Sequence, residues 1–203
     1  MTPNVLHIVT FNNPDPPNYG GAIDVYYKLK ALSNIGIELH LHIFNCNGND
    51  IVDLQSICKE VYTYSKKWAS MFYLFSSLPF SVAIRRNKNL LKNLNNVEAP
   101  ILFEGLQSTA VLTGNTFQYP IIVRAHNIEH HYYQGIAKSE TNVFKKWIYN
   151  RQALKMKKYE KVLKNSDLIL SLSCYEQSYF EEHYQNKCVY IPVFQSNNEV
   201  EKL

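Results

Sequence analysis

The sequence predicts an α/β protein built on a doubly wound, mainly parallel sheet with helices on both faces. Three observations predict it. Short apolar runs rich in β-branched residues recur along the chain, longer amphipathic segments separate them, and no internal repeat interrupts the alternation. That alternation is the mark of successive βαβ units. The 203 residues fit one domain, and a hydrophobic content of 46% supplies a core, which excludes disorder.

The first strand is expected over Val5 to Phe11, followed by a loop rich in breakers from Asn12 to Gly21. A helix from Ala22 to Ile35 brings Ile23, Tyr26, Tyr27, Leu29 and Leu32 on or near one face. Gly36 is placed to end it. Strand Ile37–Phe44, helix Ile51–Lys59 and strand Val61–Tyr64 come next. Lys66 to Leu94 reads as helix in two pieces broken near Pro79. Strand Ile101–Glu104, helix Leu106–Leu112 and strand Ile121–Ala125 follow, then a short helix after Asn127. A long helix is expected from Asn142 to Lys164. The last strands are Leu168–Ser171 and Cys188–Ile191, with a helix near Glu176–His183 between them.

In such a sheet, ligands bind beyond the carboxyl ends of the strands, where the strand order reverses. Pro17-Asn18-Tyr19-Gly20-Gly21 opens the first helix. Its glycines let backbone amides approach a ligand, and the helix N-terminus favours phosphate or carboxylate. The segment matches neither the dinucleotide nor the P-loop fingerprint, which weakens NAD and ATP readings. Phe103-Glu104-Gly105 ends another strand with a carboxylate that can accept hydrogen bonds from sugar hydroxyls or pair with a lysine at the rim.

Arg124-Ala125-His126-Asn127-Ile128-Glu129-His130-His131-Tyr132-Tyr133 places many polar groups straight after a buried strand. Unpaired buried polar groups are costly, so this density points to a site. A structural alternative has Asn127 capping the next helix. His126, Glu129 and His130 also spell H-x-x-E-H, the inverted zinc-hydrolase string. That chemistry needs both histidines on one continuous helix, whereas the strand Ile121–Ala125 sets His126 ahead of the helix. No metal is therefore expected.

Met1 to Asn4 carries no basic leader, and Met71–Phe75 is far too short to span a bilayer. Cys46, Cys58, Cys174 and Cys188 have no metal-type spacing and read as reduced and mostly buried, which suits the cytosol. The formal net charge is +4. The basic residues cluster at Lys66, Lys67, Arg85, Arg86, Lys88 and Lys92, interleaved with Trp68, Phe72, Tyr73, Phe75 and Phe80, and again along the long helix from Lys145 to Lys164. Such a face suits an anionic membrane surface, or is simply solvated. Nucleic acid is not expected, because no nucleic-acid fold motif is present.

Taken in order, Gly20-Gly21, Leu78-Pro79-Phe80-Ser81-Val82, Phe103-Glu104-Gly105 and Arg124-Ala125-His126-Asn127-Ile128-Glu129-His130 resemble the N-terminal, acceptor-side domain of family 4 glycosyltransferases, retaining enzymes of the GT-B fold. Tyr159-Glu160, Ser171-Leu172-Ser173 and Val189-Tyr190-Ile191-Pro192-Val193 fit as well, so the resemblance covers nearly the whole chain. It implies a Rossmann-like domain over residues 1–193. It implies a nucleotide-sugar donor as co-substrate, no other cofactor, and a glycan or lipid-linked acceptor. His126 and Glu129 are then the expected catalytic residues. Gly20, Gly21, Glu104, Arg124, Asn127 and His130 are the expected substrate contacts. The family's second domain carries paired glutamates and a basic residue, and residues 194–203 hold no such set. They are expected to begin the linker, with the donor-binding domain absent from this chain and the isolated chain inactive. The resemblance suggests a role in polysaccharide or glycolipid synthesis, in the cytoplasm at the inner face of the membrane. The alternatives are a solitary module that binds a glycan or lipid head without catalysis, and the zinc hydrolase.

Overall fold

The structure, a computed structural model, describes residues 4–44, 51–67, 73, 76–184 and 187–196. Seven strands form one sheet in the order β3-β2-β1-β4-β5-β6-β7, and every neighbouring pair is parallel. They are β1 (Val5–Thr10), β2 (Glu38–Phe44), β3 (Glu60–Tyr64), β4 (Ile101–Glu104), β5 (Ile121–Ala125), β6 (Leu168–Ser171) and β7 (Lys187–Tyr190). The strand order reverses between β1 and β4.

Side chains alternate along each strand and so feed two cores, one on each face. Ile8, Leu102 and Leu170 pack on one face with Val25 and Leu29 of α1 (Gly20–Asn34) and Leu54 of α2 (Val52–Ile57). Val9, Phe103, Val123 and Ile169 pack on the other. They meet Val82 of α3 (Phe80–Ala83), Leu90 and Leu94 of α4 (Lys88–Leu94), and the 3₁₀ segment Leu106–Leu112. Met156 and Phe180 cover the same face. The doubly wound prediction holds.

Three local expectations change. The described part of 66–94 is two short helices, α3 and α4, with a break at 84–87 beyond the one at Pro79. Asn87 makes that second break by capping α4, its side chain accepting from Asn89 N–H. Asn127 caps nothing: α5 (Glu129–Ser139) starts behind Ile128 without a side-chain cap, and runs 11 residues. The long helix is α6 (Val143–Tyr159), tightened to 3₁₀ over Glu160–Asn165, and α7 (Cys174–His183) precedes β7. Gly36 has φ +84, which only glycine adopts easily, and it ends α1 as expected. Among the cysteines, Cys58 and Cys188 are buried and Cys174 is exposed, all free. Cys46 lies outside the described residues.

Candidate active site at the strand-order reversal

At the carboxyl edge of the sheet, β1 and β4 send their chains to opposite faces, the place where doubly wound sheets bind their ligands. Four strand or helix ends converge there. Phe11 and Asn12 leave β1, Gly20 and Gly21 open α1, Glu104 ends β4, and His126 follows β5. Gly105 turns the chain at φ +75, where a Cβ would lie 2.6 Å from Gln107 Oε1. That turn leaves Glu104 pointing toward α1.

Glu104 is fully buried and ionised. Burial alone would raise its carboxyl, but the Lys28 charge and the His126 hydrogen bond together bring it down to about 2. Lys28 Nζ donates to Glu104 Oε1 at 2.6 Å and to Asp24 Oδ2 at 3.0 Å. His126 Nε2 lies 2.9 Å from Glu104 Oε2. A carboxylate can only accept, so Nε2 carries a proton, and the second ring nitrogen, Nδ1, is not engaged by Glu104. A Cβ built on Gly21 would lie 3.7 Å from that Nδ1, so the free nitrogen faces the glycine pair. The His126 side chain is 10% exposed, and its ring packs edge-on against Phe11.

Asp24 is the hub beneath this pair. It accepts from Arg124 Nε at 2.7 Å, from Arg124 Nη2 at 2.9 Å, from Lys28, and from the Phe194 backbone N–H at 2.8 Å. Arg124 Nη2 also donates to the Pro192 carbonyl, and the Phe194 ring lies against both cations. Residues 192–194, at the expected start of the linker, are thus tied to the network that holds His126.

The expected site residues therefore divide. Gly20, Gly21, Glu104 and His126 come together, with exposed Asn127 beside them. Arg124 and His130 are both buried and turned to carboxylates of the chain itself. Arg124 is buried in the Asp24 ion pair, and its register partner in β4 is Glu104. His130 points to Glu160 at 3.2 Å, a carboxylate that also accepts from Tyr179 and Tyr184. Glu129 is buried, and burial pushes its carboxyl above the usual range. The H-x-x-E-H string does not converge, since His126 and His130 turn to different carboxylates. Among the described residues the side chains close enough to share a cation are Asp24, Glu104 and His126, and the Lys28 ammonium already bridges the two carboxylates.

Sequence reasoning missed Asp24 and Lys28. A signal existed: an (i, i+4) acid–base pair on the same helix face as Val25 and Leu29 has no reason to be there unless a charge lies beneath it. Arg85 also departs from expectation. It is buried under the β1 loop and takes no part in a basic surface, while Trp68, Phe72 and Phe75 lie outside the described residues.

No protein-family model matches the chain. It is 29% identical over 175 residues to an uncharacterized 44.6 kDa protein in the cps region of Klebsiella pneumoniae, matching 82% of this chain and 45% of that one. The chain thus spans about half the length of its curated relative. Solved structures share its fold. Sucrose-phosphate synthase from Thermosynechococcus elongatus superposes with a TM-score of 0.60 at 15% identity, over 93% of this chain and 47% of that one. Medicago truncatula UGT71G1, complexed with UDP-glucose, gives 0.53 at 10% identity, over 98% of this chain and 55% of that one. The chain has the Rossmann-like architecture of one half of a GT-B fold.

Proposed function

We propose that this chain is the acceptor-side half of a retaining, family 4-like glycosyltransferase that moves a sugar from a nucleotide-sugar to a glycan or lipid-linked acceptor. The observation that carries the reading is the convergence of Gly20-Gly21 and the Glu104–His126 pair at the strand-order reversal, with His126 Nδ1 turned toward Gly21. Such a nitrogen can share a hydrogen bond with a sugar hydroxyl, and its orientation is fixed in advance by Glu104 and Lys28. Preorganised groups of this kind lower a barrier by positioning and by stabilising charge, without a covalent nucleophile. Buried Glu129 and exposed Asn127 belong to the same segment as His126 and complete the proposed set. The cps-region relative supports a role in polysaccharide synthesis.

The donor would be held mainly by a second domain, joined through the segment that leaves Phe194. The chain alone is expected to transfer no sugar, because the charges that clamp a diphosphate are shared between two halves. The decisive experiment joins this chain to its natural second domain and assays transfer from a panel of nucleotide-sugars. Transfer by the joined protein alone supports the reading. Equal transfer by the isolated chain, or none by either, defeats it.

We place the enzyme at a membrane surface. The start of α6 exposes Val143, Phe144 and Trp147, the last two stacked at 6.1 Å, beside Lys145, Lys146 and Arg151. Apolar anchors among lysines suit anionic lipid. Among the described residues no helix is long and apolar enough to cross the bilayer. Co-sedimentation with anionic vesicles, weakened by salt, is the expected result. Equal binding to neutral vesicles, or none to either, counts against it.

A further inference from the structure

Two cations meet at the loop that leaves β1. Lys66 Nζ donates to Asn12 Oδ1 at 2.8 Å, and Arg85 Nη2 donates to the same oxygen at 3.3 Å. Arg85 Nε donates to the Phe11 carbonyl at 2.9 Å, and its Nη1 to the Ser81 carbonyl. Every one of these acceptors is neutral. Among the described residues neither cation pairs with a carboxylate, although Arg85 is only 6% exposed and Lys66 is half-buried.

Charges taken out of water without a countercharge are costly, and two like charges on one amide oxygen add repulsion. The Lys66 ammonium accordingly titrates low, at about 8, through burial first and then the Arg85 charge. Lys28 and Arg124 make the contrast: both are buried, and each faces a carboxylate. Two neighbouring cations left without counter-ions attract an anion to this second pair.

The position of the pair says where that anion would lie. The Phe11 ring neighbours both Arg85 and His126, with the guanidinium carbon 5.8 Å from its centroid and the imidazole centroid also 5.8 Å away. Asn12 Nδ2 donates to the Tyr19 hydroxyl at 3.4 Å, so the loop that carries the cations also touches the residue before Gly20.

The geometry points to a subsite for a phosphate-type anion, a mono- or diphosphate, held by Lys66 and Arg85 over Asn12 beside His126. Arginine offers a planar fork and lysine a compact charge, a pairing suited to phosphate oxygens. The subsite itself requires no sugar transfer. Only its source rests on the proposed function, since both the diphosphate of a nucleotide-sugar and the phosphate of a lipid-linked acceptor have this chemistry.

Calorimetric titration of the chain with inorganic pyrophosphate, uridine diphosphate and geranyl diphosphate tests the assignment. Pyrophosphate should bind saturably, and Lys66→Gln should weaken it about tenfold or more, the effect of losing one charge-assisted bond. Arg85→Lys keeps the charge but not the fork, and guards against a misfolded truncation; it should weaken binding while circular dichroism stays native. Lys138→Gln, at an exposed lysine outside the site, should keep pyrophosphate binding, which separates this subsite from general surface charge. Tighter geranyl than uridine diphosphate would assign the anion to the acceptor, and the reverse to the donor. No saturable pyrophosphate binding at millimolar concentration, or equal binding by wild type and both cation variants in the folded state, overturns the inference.

Discussion

Two polar clusters are buried on opposite faces of the same sheet, and they differ in kind. On one face His7, His42 and Tyr64 form a chain closed at both ends. His7 Nε2 must donate to the Val97 carbonyl at 3.0 Å, so its Nδ1 accepts from His42 Nε2 at 2.9 Å. His42 Nδ1 then accepts from the Tyr64 hydroxyl at 2.8 Å, which in turn accepts from Asn93. One proton arrangement satisfies this run, and every member is neutral. On the other face Asp24, Lys28, Glu104 and Arg124 are full charges, and the run ends at a His126 nitrogen that faces the Gly21 loop. A buried histidine therefore says little by itself. A histidine fixed by an ionised partner, at a strand's carboxyl end and with its second nitrogen toward a glycine loop, says a great deal.

The contrast breaks first at the hub. Asp24→Ala would leave the Arg124 guanidinium buried without its countercharge, and should cost about 3–5 kcal/mol of stability. Urea unfolding of the purified chain measures it. A loss under about 1 kcal/mol would mean that the ions are solvated and that the network is not the rigid support we describe.

A second experiment swaps one histidine from each cluster. In the two-domain protein, His126→Ala should lower turnover about 10²-fold with little change in unfolding midpoint, as expected for an electrostatic group outside the core. His42→Ala should do the opposite, costing about 1–3 kcal/mol by orphaning its buried neighbours while specific activity of the folded enzyme holds. Matching effects from the two variants would erase the distinction.

Acid should also separate the clusters. Burial lowers the His7 and His42 imidazoles below the ordinary 6.5, His42 the further. A group with a lowered folded value stabilises fully above its unfolded value and less as pH falls below it, because the unfolded chain takes up the proton first. Stability should thus fall from pH 6.5 downward, by at most about 1.4 kcal/mol per pH unit for each histidine. Glu104, held at about 2 against an ordinary 4.5, adds its own loss only below 4.5. Urea midpoints between pH 7.5 and 5 measure the first phase. A flat profile there, or His7 and His42 ring signals that titrate near 6.5, would contradict a neutral closed chain.

Most of the fold was legible in the sequence because parallel strands buried on both faces read as apolar runs, and because breakers stand between them. The site was legible in part. Gly20-Gly21, Glu104 and His126 were singled out by their place after strands and by the family resemblance, and the structure sets Glu104 2.9 Å from His126, with Gly21 beside the same ring. Arg124 and His130 occupy the same stretch of sequence, and only the pleat and the helix turn decide that they point inward to Asp24 and Glu160. Arg85 illustrates the limit most clearly. Its neighbours in sequence are basic and suggested a surface, but its partners are the Phe11 and Ser81 carbonyls and Asn12, which no local pattern connects to it.

The smallest expected effect tests the space before His126. A Cβ on Gly20 would meet nothing within 4 Å, and its φ is not one that excludes other residues. Gly20→Ala should therefore leave stability unchanged or raise it by up to about 1 kcal/mol, since alanine loses less backbone freedom at a helix start. A Cβ on Gly21 would lie 3.2 Å from Tyr19 Cε2, a contact the exposed Tyr19 ring can relieve, and 3.7 Å from His126 Nδ1. Both variants should fold. If the open volume belongs to a ligand, Gly20→Ala should raise KM in the two-domain protein, because its methyl fills space that the substrate needs. Gly21→Ala should lower kcat more than Gly20→Ala does, because its methyl covers the imidazole nitrogen that Glu104 leaves unengaged. Thermal unfolding beside steady-state kinetics distinguishes these results from a folding defect. Two stable variants with wild-type kinetics would show that no substrate approaches His126 from the glycine side.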